Sequence, residues 1–73
     1  MKMGNVKTRL EVERRRRGLS QTALAAQAGR LSASEISRFE NGYARPYPSQ
    51  AERLARVLDL GVEELLDAAH DLR

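Results

Sequence analysis

The sequence predicts an all-α domain of five short helices, and three observations lead there. No stretch alternates apolar and polar residues over several positions, so strand signals are missing. Apolar residues recur instead at the i, i+3 and i+4 spacing of helices. Start and stop residues punctuate that pattern, with Ser20, Ser32 and Ser49 as candidate N-caps and Gly18, Gly29 and Gly42 as stops. The 73 residues make one domain, 1–73, with its core within about 6–72 and residues 1–4 flexible. A chain this short buries only about 60% of its unfolded surface, so oligomerisation stays open as a source of stability.

The first helix is expected over about Asn5–Arg17. Val6 and Leu10 mark its inner side. Glu11 precedes Arg15, and Glu13 precedes Arg17, by four residues in the favourable acid-first order. The run "RRRR" before Gly18 suits a helix C-terminus, where cations meet the negative dipole end. The second helix, "SQTALAAQAG", starts from Ser20 and stops at Gly29. Leu24, Ala25 and Ala28 share a face, and their small size admits a close helix crossing or merely raises helix propensity.

The third helix is "SASEISRFENG", Ala33 to about Asn41. Ser32 and Glu35 have the spacing of a capping box. At 100° per residue Ile36 and Phe39 point inward. Ser34, Ser37, Arg38 and Asn41 point outward, with Ala33 at the margin and Glu40 on the inner flank. After the loop "GYARPYP", a second capping box, Ser49 to Glu52, opens the fourth helix. Tyr47 is expected to pack against that helix. Val62, Leu65, Leu66, Ala69 and Leu72 form the stripe of a fifth, about Val62–Leu72.

Composition narrows the function. There is no Cys and one His, His70, so neither a disulfide nor a metal site is expected, and no cofactor. Neither a signal peptide nor a membrane span is legible, and the expectation is a cytoplasmic protein. The net charge is +3, with a pI of about 10.0. Residues 1–20 carry seven positive and two negative charges, residues 21–42 two and two, and residues 43–73 four and six. Basic charge gathered at one end points to an anionic partner such as nucleic acid or a membrane surface, or to a solvated basic helix.

A short helix, a Gly-containing turn and a second short helix form a helix-turn-helix pattern: Gln21, Leu24, Ala25, Ala28, Gly29, Leu31, Ile36, Phe39. With "RRRRGLSQTALAAQAG", "SASEISRFENG" and "LARVLDLGVEELL", the chain resembles the lambda repressor, Cro and XRE-type helix-turn-helix family over about residues 6–67. The resemblance implies five helices, double-stranded DNA as partner, a homodimer on a pseudo-palindromic operator, and the third helix in the major groove. By position it implies that Ala33, Ser34, Ser37 and Arg38 face bases, that Gln21 meets a phosphate, and that Asn41 lies near the backbone. The chain departs from the family pattern at the turn, "AGRLS", which is one residue longer, with Arg30 the added residue. It departs also at Gly61, where a better cap is usual, and at Glu13, where an apolar residue is common and Val12 is the substitute.

Individual residues carry competing readings. Arg14 follows Leu10 by four and so lies near the buried side; it either pairs with Glu40, which the resemblance also implies, or snorkels to water. Arg38 suits bidentate contact with guanine O6 and N7, or contact with phosphate. Ser34 and Ser37 suit either, and Ala33 suits a thymine methyl or only helix propensity. Arg30 adds charge beside the DNA-facing side, and Tyr43 and Arg45 are within reach of phosphate. Lys2 and Lys7 form an arm along the backbone or a frayed tail. His70 is a helix C-terminal cation. Leu66, Ala69 and Leu72 complete the core or form a dimer seam.

The leading expectation is therefore a sequence-specific DNA-binding regulator, a repressor acting by operator occupancy, with no membrane or small-molecule partner. The other is a protein-interaction adaptor or antitoxin component on the same fold, favoured by the short side chains of the third helix. An enzyme is not expected, because no nucleophile or carboxylate pair presents itself.

Overall fold

The computed structural model describes residues 7–67. The expectations for Lys2, Val6, Ala69, His70, Leu72 and residues 1–4 lie outside them. Among the described residues the chain forms four α-helices and a 3₁₀ turn, not five α-helices. These are α1 (Arg9–Arg16), α2 (Gln21–Ala28), α3 (Ala33–Glu40) and α4 (Pro48–Leu58), then the 3₁₀ turn Val62–Glu64.

Helix α1 starts later than Asn5 because Thr8 caps it. The backbone of Thr8 is extended, and its hydroxyl accepts the Glu11 N–H at 3.1 Å. The first-turn N–H groups have no partner inside the helix. Those of Arg9 and Leu10 donate instead to the carbonyls of Asp67 (2.8 Å) and Leu65 (2.9 Å). Helix α2 opens on Ser20, whose Oγ accepts the Ala23 N–H at 2.9 Å, and closes on Gly29 at φ 83°. Helix α3 opens on the Ser32–Glu35 capping box. Ser32 Oγ accepts the Glu35 N–H at 3.1 Å, and Glu35 Oε1 accepts the Ser32 N–H at 3.0 Å.

Helix α4 begins before the expected Ser49 cap. Pro48 takes its first position, where a fixed φ suits the helix and a missing N–H costs nothing. Ser49 is then already helical, and Gln50 serves the cap by accepting the Tyr47 N–H at 2.8 Å. Tyr47 points to solvent and does not pack on α4.

The fifth helix is replaced, as far as Asp67, by i→i+3 turns. Glu64 donates to Gly61 (2.9 Å), Leu65 to Val62 (3.3 Å) and Asp67 to Glu64 (3.1 Å). One cause is visible. Gly61 has no side chain to cap a helix, although Glu64 Oε1 accepts its N–H at 3.1 Å. The Leu65 and Asp67 carbonyls also accept the first N–H groups of α1.

The core is built from all of these elements. Leu10, Leu24, Ile36, Leu54, Leu58 and Leu65 are fully buried, with Phe39 and the alanines 25, 28, 51 and 55 between them. Ala25 and Ala28 thus serve packing as well as propensity. Leu31, Val57, Leu60 and Leu66 pack on the margin, while Val62, expected in the apolar stripe, is exposed.

Candidate nucleic-acid interface

Helix α3 is two-sided. Ile36, Phe39 and Glu40 are buried, which fixes its inner face against α2 and the core. Ser34, Arg38 and Asn41 are exposed on the other side, with Ala33 and Ser37 half-buried. Asn41 Nδ2 lies over Ser37, donating to its carbonyl at 3.0 Å and its hydroxyl at 3.3 Å. Arg38 makes no side-chain hydrogen bond or ion pair among the described residues; its carbonyl accepts the Tyr43 N–H at 2.9 Å. Tyr43 and Arg45 stand exposed in the loop that follows.

The end of α3 is tied to the start of α2 through one carboxylate. Arg14 Nε donates to Glu40 Oε2 at 2.6 Å, and Arg14 Nη2 to Oε1 at 3.1 Å. The two side chains are 8% and 3% exposed, so each charge depends on the other. Arg14 Nη1 also donates to the Leu19 carbonyl at 2.9 Å, in the turn between α1 and α2. Gln21 Nε2 donates to Glu40 Oε1 at 3.0 Å. One N–H of the Gln21 carboxamide is thereby engaged inside the domain, which leaves the second and the oxygen.

Most of the cations on α1 are occupied. Lys7 and Arg15 share Glu11, at 3.8 and 3.0 Å. Glu13 pairs with Arg16 at 3.0 Å rather than with Arg17. The reason is that Arg17 is the C-cap, beyond the last helical residue, and its Nη2 reaches the Leu58 carbonyl at the end of α4 (3.0 Å). By contrast Arg30, Arg38 and Arg45, which flank or lie on α3, have no carboxylate partner among the described residues. Cations without a carboxylate partner among the described residues thus stand around α3, and also at Arg9 and Arg17 on or beside α1 and at Arg53 and Arg56 on α4.

Two positions that the sequence reading passed over support the site. Arg53 Nη1 donates to the Ala28 carbonyl at 3.2 Å, satisfying the end of α2 below the turn. Its signal is a cation on the flank of the Leu54 and Ala55 stripe, which must find an acceptor. Gln50 Nε2 approaches Glu35 Oε2 at 3.5 Å and so connects the starts of α3 and α4; the sequence carries no comparable signal for it. A groove of about 350 Å³ lies between the start of α4 and the 3₁₀ turn, lined by Arg45, Pro46, Pro48, Val62 and Leu66 among others. No described helix is long and apolar enough to cross a membrane.

A buried-faced α2, a glycine turn and an α3 with a free polar face define a helix-turn-helix unit. The helix-turn-helix family model matches residues 10–65. The chain belongs to this XRE-type family, which includes lambda repressor and Cro-like proteins. The family is one of DNA-binding transcriptional regulators and not typically of enzymes. No curated protein and no solved structure matches the chain.

Proposed function

We propose that this single-domain protein is a cytoplasmic transcriptional repressor that binds a pseudo-palindromic operator as a homodimer and blocks it by occupancy. Helix α3 enters the major groove. Ala33, Ser34, Ser37 and Arg38 face base edges, and Gln21, Arg30, Asn41, Tyr43 and Arg45 contact the sugar-phosphate backbone. Two copies place their α3 helices in successive major grooves, about 34 Å apart. The observation that carries this reading is Arg38, exposed on the outer face of an anchored helix with no carboxylate partner among the described residues. Short neighbours at Ala33, Ser34 and Ser37 let the helix backbone approach the bases. The partly apolar groove beside the 3₁₀ turn, with Val62 exposed in its wall, supports pairing with a second copy.

Selection of binding sites from random duplex DNA tests the proposal. The expected product is an inverted repeat with guanines whose enrichment disappears with Arg38→Ala. That variant should lose about 1–3 kcal/mol at those positions, roughly five- to 150-fold in affinity, with its melting temperature unchanged. Recovery of no enriched motif would reject sequence-specific binding and favour a protein-interaction role for the same face.

A further inference from the structure

The turn between α2 and α3 contains two residues in succession with positive φ, Gly29 at 83° and Arg30 at 63°. Gly29 adopts such a conformation without strain. Arg30 does not, because a Cβ crowds its own backbone there. The fold gives nothing back for this. Arg30 is exposed, and its side chain has no hydrogen bond or ion pair among the described residues. The nearest acid in sequence, Glu35, is engaged by the Ser32 N–H and by Gln50. The cation beneath the turn, Arg53, adds charge of the same sign and already satisfies the Ala28 carbonyl. Glycine or asparagine at position 30 would suit the backbone better.

We infer that Arg30 is a strained residue kept for binding: its left-handed backbone presents an uncompensated guanidinium beside the start of α3, where it anchors a DNA phosphate. The inference rests on the DNA-binding reading above and adds that folding and binding pull in opposite directions at this position. A purely structural turn residue would move both the same way, or move stability alone.

The test compares Arg30→Gly, Arg30→Asn and Arg30→Lys with the wild type. Thermal melts are measured for each, together with affinity for a short mixed-sequence DNA duplex across a salt series. Arg30→Gly and Arg30→Asn should melt higher, by about 4 °C or more. Both should bind the duplex about tenfold more weakly at low salt, with a log–log salt slope shallower by about 0.9, the value of one phosphate contact. Arg30→Lys keeps the charge and the strain, so it should melt and bind like the wild type, with the same salt slope.

Unchanged binding by Arg30→Gly, while the wild type binds with a steep salt dependence, overturns this inference and leaves the DNA-binding reading standing. An unchanged or lower melting point in both neutral variants overturns the strain. No salt-dependent binding by the wild type overturns the DNA-binding reading and the inference with it.

Discussion

Replacing Glu40 by alanine strands the Arg14 guanidinium inside the domain. Arg14 is 7% exposed, and it would keep one acceptor, the Leu19 carbonyl, while losing both carboxylate bonds. Removing one member of a buried pair costs about 3–5 kcal/mol, because the remaining charge stays desolvated and unpaired. A domain of this length has a total stability of roughly 4–11 kcal/mol, so the loss takes about a quarter of it or more. The melting temperature should fall by at least about 12 °C, at about 4–8 °C for each kcal/mol. Urea titration and thermal melts followed by far-UV circular dichroism measure both quantities. A second variant separates stranded charge from lost packing. Arg14→Met combined with Glu40→Met removes both charges, and should return to within about 1 kcal/mol of the wild type or exceed it. The reasoning fails if Glu40→Ala costs under about 1 kcal/mol, the worth of an exposed pair. It fails equally if the double variant is no more stable than the single one.

Two further outcomes follow from the helix-turn-helix unit. Gly29→Ala places a Cβ 3.3 Å from Arg53 Nη1 at a φ of 83°; it should destabilise the fold by about 1 kcal/mol or more in urea titration. Ser32→Ala removes the acceptor of the Glu35 N–H and should cost about 0.5–2 kcal/mol. Its effect on hydrogen exchange should be confined to the first turn of α3, and uniform loss of protection would contradict a local capping role.

Where a backbone need and a side chain coincide locally, the structure was readable in advance. Ser20, Ser32 with Glu35, and Gly29 each meet a requirement set within four residues, and the helices beside them begin and end accordingly. Readings failed where a distant partner decided. Arg17 was matched to Glu13 by spacing, yet it lies past the helix end and finds the Leu58 carbonyl 41 residues away. Of the stripe expected for the fifth helix, Leu65 and Leu66 pack inward but Val62 does not, and α1 takes the carbonyls of Leu65 and Asp67, which no local pattern announces. Ser49 yields the capping position to Tyr47 because Pro48 before it suits the first helical position. At the candidate site, the two faces of α3 follow from helical spacing alone. Which cations remain unpaired does not, since that depends on every acid and carbonyl within reach. Three members of the arginine run are paired with acids, while Arg30, Arg38 and Arg45 around α3 have no carboxylate partner among the described residues.

The bond from Gln21 to Glu40 joins the first residue of α2 to the last residue of α3, at the ends farthest from the turn that links them. The two helices are therefore closed into a ring, covalent at one end and hydrogen-bonded at the other. A hinge at Gly29 would have to open that ring and disturb a buried ion pair as well. Their mutual angle is thus settled during folding, before any ligand arrives. Ordering entropy that a looser pair would lose on association has already been lost, so encounter with a target should proceed as the docking of a rigid body.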